Sequence, residues 1–163
     1  MTSPILGLDI DGVLHPAGPV TAATQLAQLP MLAAWLRRRP GIDVVVTSTW
    51  RLTRTLDELR AFFPTELKGR IIGATPALTQ ASWGEYDGEL PPMRHPREAE
   101  LRRWLADSST PWRDWVALDD EPWLYTPACP RLVVCQRATG LTHPTLELLD
   151  ALVDRLERIC RGC

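Results

Sequence analysis

Ile5-Leu6-Gly7-Leu8-Asp9-Ile10-Asp11-Gly12 decides how this chain is read. Its apolar run predicts a buried strand, two carboxylates two residues apart close that strand, and Gly12 lets the backbone turn sharply. Carboxylates this close repel each other, and both stay ionised at neutral pH only where a cation or strong hydrogen bonds offset the repulsion. A hard divalent ion such as Mg2+ fits. It takes oxygen ligands, keeps several waters and needs only one or two protein carboxylates when a substrate phosphate completes its shell. Asp-x-Asp-Gly also occurs in calcium loops and ordinary turns, so these residues alone do not single out phosphoryl chemistry.

Working outward, Trp115-Val116-Ala117-Leu118 is a second apolar run that ends in acid, Asp119-Asp120-Glu121. A third, Val44-Val45-Val46, ends in hydroxyls, Thr47-Ser48. In an open parallel sheet, ligands bind beyond the carboxyl ends of the strands, so these distant segments can converge on one site. Acid, hydroxyl and acid in that order are far more specific than any one of them: the carboxylates suit a metal and the hydroxyls suit a phosphoryl oxygen.

With these motifs in order, the chain resembles the haloacid-dehalogenase-like (HAD) phosphohydrolases over roughly 5–149. Ser48-Thr49-Trp50-Arg51, Arg97-Glu98 with Trp104-Leu105, Leu118-Asp119-Asp120 and Thr139-Gly140-Leu141-Thr142 narrow the resemblance to compact bacterial HAD domains associated with RNA-repair systems. The resemblance implies a Rossmann-like three-layer α/β fold with a parallel sheet of order 5-4-1-2-3. Asp9 would be the nucleophile that forms an aspartyl-phosphate, and Asp11 the general acid and base. Mg2+ would be held by Asp9, the backbone carbonyl of Asp11, Asp119 and Asp120, while Thr47 or Ser48 and Arg97 bind phosphoryl oxygens, with Arg51 as a further phosphate contact.

Two departures from the family pattern stand out. Val13 follows the motif-one glycine where phosphatases often have Thr, which leaves hydrolysis and transfer both open. The expected motif-three lysine is missing; Arg97, at the start of a predicted helix, is preferred to Lys68, the only lysine. Neither 12–25 nor 74–95 is long enough for a folded cap. An uncapped site suits a macromolecule that covers it, so the expected substrate is a nucleic-acid end phosphate. A nucleotide or sugar phosphate is the enzymatic alternative, and a catalytically silent binding module is the non-enzymatic one. The retained pair Asp9 and Asp11 argues against the last.

The 163 residues and 45% hydrophobic content predict one domain over 1–163. A net charge of -2 excludes a strongly basic nucleic-acid-coating protein, and no apolar run is long enough to span a membrane, so a soluble cytoplasmic protein is expected. Seventeen of eighteen basic residues are arginine, which reads as codon bias in a GC-rich bacterial genome. Cys129, Cys135, Cys160 and Cys163 include a CxxC spacing, but Cys135 lies in an apparent core strand and Cys163 at the chain end, so zinc or a disulfide is not the preferred reading.

Alternating patterns predict strands over 5–9, 43–47, 70–73, 115–118 and 131–135. Helices are expected over 26–36, interrupted or restarted at Pro30, over 53–62, from 96 and over 144–159, with a long loop over 74–95 above the active face. Arg37-Arg38-Arg39 reads as a helix C-terminus favouring cations rather than a nucleic-acid patch. Arg51 and Arg54 sit near the expected pocket, Trp50 reads as core, and His15 as a surface histidine.

Overall fold

The computed structural model describes residues 3–78 and 95–161. The long loop expected over 74–95 falls mostly outside these residues, as do the side chains of Cys160 and Cys163. Five short strands form the frame: β1 (Ile5–Leu8), β2 (Asp43–Val46), β3 (Ile71–Ala74), β4 (Trp115–Asp119) and β5 (Leu132–Val134). All pair in parallel in the order β3-β2-β1-β4-β5, the predicted order read from the other edge. β1 is central and wholly buried, which is why it carries no polar residue before Asp9.

Four helices cover the sheet: α1 (Leu29–Arg38), α2 (Leu56–Ala61), α3 (Pro96–Asp107) and α4 (His143–Arg161). Pro30 marks the start of α1 rather than an interruption, because proline's missing N–H costs nothing in a first turn. The predicted 53–62 helix is shorter: a 3-10 turn (Thr49–Leu52) comes first, and Thr55 and Glu58 then form a capping box that fixes where α2 begins.

Strand alternation divides the interior. Leu6, Leu8, Val44, Val46, Val116 and Leu118 pack with Leu32, Trp35 and Leu36 of α1 and Leu149 and Val153 of α4. Ile5, Val45, Trp115 and Ala117 face the other way, toward Leu101 and Leu105 of α3 and Tyr125. Arg39, last of the arginine triplet, bridges to Asp150 and Asp154 and so ties α1 to α4. An irregularity in the β2–β3 register turns Gly73 toward α3, where any Cβ would strike the Trp104 indole. Cys129 and Cys135 are free thiols, and burial pushes the Cys135 thiol up to about 12. None of the described helices is long and apolar enough to cross a membrane.

Candidate active site

Beyond the last β1 residue the ladder continues for one step on each side. The Asp9 amide donates to Leu118 O at 3.1 Å and the Thr47 amide to Leu8 O at 2.9 Å. Asp9, Thr47 and Asp119 thereby share the parity of Ile5, Val45 and Ala117 and emerge on the face covered by α3. Ser48 has the opposite parity; its hydroxyl accepts from the Trp50 amide at 3.3 Å and caps the 3-10 turn. The Thr47 hydroxyl is buried and has no partner. Thr75, just past β3, presents a second buried hydroxyl without a partner, and sequence reading passed over it as the start of a loop.

Asp9, Asp119 and Asp120 are all buried, and one carboxylate oxygen from each lies within 4.8 Å of the others. Arg97 reaches this group from the first turn of α3, with Nη1 2.7 Å from Asp119 Oδ2 and 2.9 Å from Asp9 Oδ1. The contact with Asp119 is a hydrogen bond, and Tyr125 donates to the same Oδ2 at 3.1 Å. The contact with Asp9 is an ion pair not aligned as a hydrogen bond, so Asp9 Oδ1 is buried without a donor. Burial pushes Asp9 up to about 6 against the opposing attraction of Arg97, and it does the same to Asp119, with Asp9 adding repulsion. Asp120 is also shifted up by burial, opposed by Arg137. Burial works against the charge of Arg97, but Asp9 and Asp119 outweigh it and hold the guanidinium protonated.

Charge in this site is therefore undercompensated. Three carboxylates crowd one point against two arginines, Arg97 at Asp9 and Asp119 and Arg137 3.3 Å from Asp120 Oδ2, and Asp9 Oδ1 has the Arg97 charge beside it but no aligned hydrogen bond. An all-oxygen donor set of this kind fits a hard divalent cation such as Mg2+. Gly12 makes the crowding possible: its φ is +73°, and a Cβ there would lie 2.3 Å from the Asp120 carboxylate. Lys68 lies in the 3-10 segment (Thr65–Arg70) that leads into β3, at the amino ends of the strands, and does not join the group.

Asp11 stands apart from the cluster with its side chain 47% exposed, and both of its oxygens are held. Trp50 Nε1 donates to Oδ2 at 3.0 Å, and His15 Nε2 lies 2.9 Å from Oδ1. The Leu26 amide donates to His15 Nδ1 at 3.3 Å, so Nδ1 is the bare nitrogen and Nε2–H points at Asp11. Leu26 adopts a left-handed φ of 57°, a conformation that costs a branched residue on the order of 1 kcal/mol. His15 is 1% exposed, so the surface reading is corrected. What buries it is the 136–140 turn. Leu141 donates to Val13 O at 2.7 Å and Ala17 to Arg137 O at 2.7 Å, while Gly140, at φ +69°, packs against Val13 and His15. The Thr139-Gly140-Leu141 motif thus clamps the loop that carries Asp11.

Arg51 is neither exposed nor aimed at the cluster. Its guanidinium donates to Glu100 at 2.6 Å, Thr75 O at 2.9 Å, Thr47 O at 2.6 Å and Ser48 O at 3.0 Å, binding the ends of β2 and β3 to α3. Burial raises the Glu100 carboxyl although Arg51 opposes the shift. Arg54 lies over the Trp50 ring, 4.2 Å from its centroid, and Phe62 meets the same ring edge-on.

Among known proteins, the family described as the HAD domain in Swiss Army Knife RNA repair proteins matches residues 5–146, most of the chain. No curated protein and no solved structure matches.

Proposed function

This chain belongs to the HAD domain family of Swiss Army Knife RNA repair proteins, and from that premise and the site geometry we propose that it is a Mg2+-dependent phosphomonoesterase acting on nucleic-acid end phosphates. HAD-type phosphohydrolase chemistry is what membership supports, and the buried convergence of Asp9, Asp119 and Asp120 within 4.8 Å of one another is the observation that carries the metal requirement. In this reading the three carboxylates and the Asp11 carbonyl would hold Mg2+, which would screen the anionic nucleophile from the anionic substrate.

Asp9 attacks phosphorus through a carboxylate oxygen. The P–O bond to the leaving alcohol breaks as the acyl phosphate forms, and Asp11 supplies the proton to the departing oxygen. Asp11 then takes a proton from the water that attacks phosphorus, returning Asp9 as a carboxylate and releasing inorganic phosphate. The N–H groups of His15 and Trp50 fix the plane of the Asp11 carboxyl, so no rotamer search precedes either proton transfer. Arg97 bears on the nucleophile and on developing phosphoryl charge, and the Thr47 hydroxyl is the free donor facing the same side; Ser48 is committed to its cap. Arg51 acts as a strut that sets Thr47 and α3 relative to each other, which replaces its expected role as a phosphate contact.

Nucleic-acid ends are favoured by the family's RNA-repair description and by the shortness of 12–25 and 74–95, neither of which has the length of a folded cap. The test is phosphate release from p-nitrophenyl phosphate, a 3'-phosphorylated oligonucleotide and the matching mononucleotide, with Mg2+ or with EDTA. Mg2+-dependent release that strongly prefers the oligonucleotide is expected. Equal turnover of the mononucleotide would move the assignment to a small-molecule phosphatase.

A further inference from the structure

Trp123 follows the metal-binding acids by only three residues, in a 3-10 turn (Pro122–Leu124), and its side chain is left in solvent with the residue 57% exposed. Single exposed apolar residues are ordinary. Trp112 is more exposed still, at 73%, but it lies just before β4 at the opposite end of the sheet from the acids. Trp123 differs in where it is and in how firmly it is held. The turn closes through Leu124 N to Glu121 O at 3.1 Å and Tyr125 N to Pro122 O at 3.2 Å. Tyr125 is anchored to Asp119, and Thr126 donates to the buried Glu98 at 2.8 Å. The indole is therefore presented from a rigid base, so a ligand stacking on it would need little ordering of the protein.

Arg137 connects this indole to the acidic cluster. Its Cζ lies 5.8 Å from the Trp123 ring centroid, and its Nη1 lies 3.3 Å from Asp120 Oδ2 and 3.0 Å from Glu121 Oε1. With two acids already beside it, the guanidinium is a poor free phosphate contact but a good planar partner for a π-system. The Trp50 indole, on the other flank of β1, is not equivalent: Arg54 covers its face, and its N–H is used by Asp11. Among the described residues, Trp123 is the aromatic face beside the site that is both anchored and open.

We propose that Trp123, backed by Arg137, is a stacking subsite for a nucleobase of the nucleic-acid strand whose end phosphate sits at Asp9, an inference that rests on the phosphohydrolase reading above. Every base has a π-face, so such a platform grips a strand end without reading its sequence, as repair of arbitrary ends requires. It also explains why an exposed indole and a paired arginine occur together on a site whose chemistry needs neither.

Stacking is measured with the Asp9→Asn protein in Mg2+, which binds without turning over. The ligands are a short 3'-phosphorylated oligoribonucleotide and the same strand with abasic terminal nucleotides. Trp123→Ala is expected to weaken binding of the first about tenfold and of the abasic strand far less, with Trp123→Phe restoring most of the loss. Equal loss on both strands, or none on either, would overturn the subsite. So would failure of the Asp9→Asn protein to bind the oligonucleotide, whereas Mg2+-dependent release from p-nitrophenyl phosphate by the unsubstituted chain would leave the phosphohydrolase reading standing.

Discussion

On one face of the sheet, α1 and α4 press Leu32, Trp35, Leu36, Leu149 and Val153 onto Leu6, Leu8 and Val46. On the other, α3 buries Arg97, Glu98 and Glu100 beside Leu101 and Leu105, over strands that end in Asp9, Thr47 and Asp119. The same alternating strands serve both faces, so the difference lies in what the covering helix brings. α1 and α4 contribute apolar stripes whose worth is burial. α3 contributes charges that have value only if each finds a partner: Arg97 with two aspartates, Glu100 with Arg51, Glu98 with Arg102 and Thr126. A face built this way trades packing for a preorganised polar site, and it leaves Asp9 Oδ1 and the Thr47 hydroxyl without hydrogen-bond partners. Those two atoms, the first beside the Arg97 charge and the second without any partner, are where the proposed mechanism expects a metal and a phosphoryl group to act.

Substitutions that separate the two faces have effects of different kinds. Asp9→Asn should lower Mg2+-dependent phosphate release by at least about 10³-fold, the loss typical of removing a nucleophile. In the metal-free protein at pH 7 the same change should raise Tm by a few degrees, because it removes a buried charge already held near its ionisation threshold. Retained turnover, or a lower metal-free Tm, would break the assignment of Asp9 to an undercompensated cluster. Leu149→Ala on the other face should cost about 2–5 kcal/mol in denaturant unfolding while the Mg2+ dependence of the remaining activity stays as it was.

The contrast sharpens with pH. Asp9 and Asp119 are raised to about 6 in the folded chain, against about 4 for an unfolded carboxyl. The metal-free protein therefore binds more protons folded than unfolded in that interval, and the stability from this pair is present below about 4 and declines as pH rises to about 6. Mg2+ needs the ionised forms, so the Tm gained on adding it should be larger at pH 7 than at pH 5. Calorimetric scans in Mg2+ and in EDTA at both values read this directly, and a gain independent of pH would mean the metal is held elsewhere. The smallest effect expected is that of Trp50→Phe, which keeps the ring against Phe62 but removes the donor to Asp11. It should lower kcat roughly threefold to tenfold with KM for p-nitrophenyl phosphate little moved. A change confined to KM would place Trp50 in substrate binding instead.

Much of the sheet was legible because its three central strands are apolar runs stopped by acid or hydroxyl: Asp9, Thr47 and Asp119. Parallel order then brings those ends together. Arg97 was chosen through resemblance, helped by its place in the first turn of a helix, where a cation opposes the dipole and invites an anionic partner. Glu100 and the strut it forms with Arg51 were missed because their burial is imposed by the strand ends across from them. His15 read as surface because a lone histidine after a turn has no periodic signal. It is buried by the 136–140 turn, more than a hundred residues away, and by the left-handed backbone at Leu26. Thr47 and Ser48 are adjacent hydroxyls that sequence alone does not separate; the Thr47 amide continues the β1–β2 ladder, which fixes the parity of both.

In the proposed mechanism Asp9 carries the phosphoryl group in a covalent intermediate and Asp11 is needed to discharge it. p-Nitrophenolate leaves without help from an acid, so in the Asp11→Asn protein the first step should proceed and the second should stall. Intact-mass spectrometry after mixing that variant with p-nitrophenyl phosphate and Mg2+ should show one added phosphoryl group, located on Asp9 by fragmentation and absent in the Asp9→Asn, Asp11→Asn double variant. An unmodified protein, under conditions where the unsubstituted chain releases phosphate, would contradict the covalent route; a phosphoryl group on another residue would contradict the choice of nucleophile.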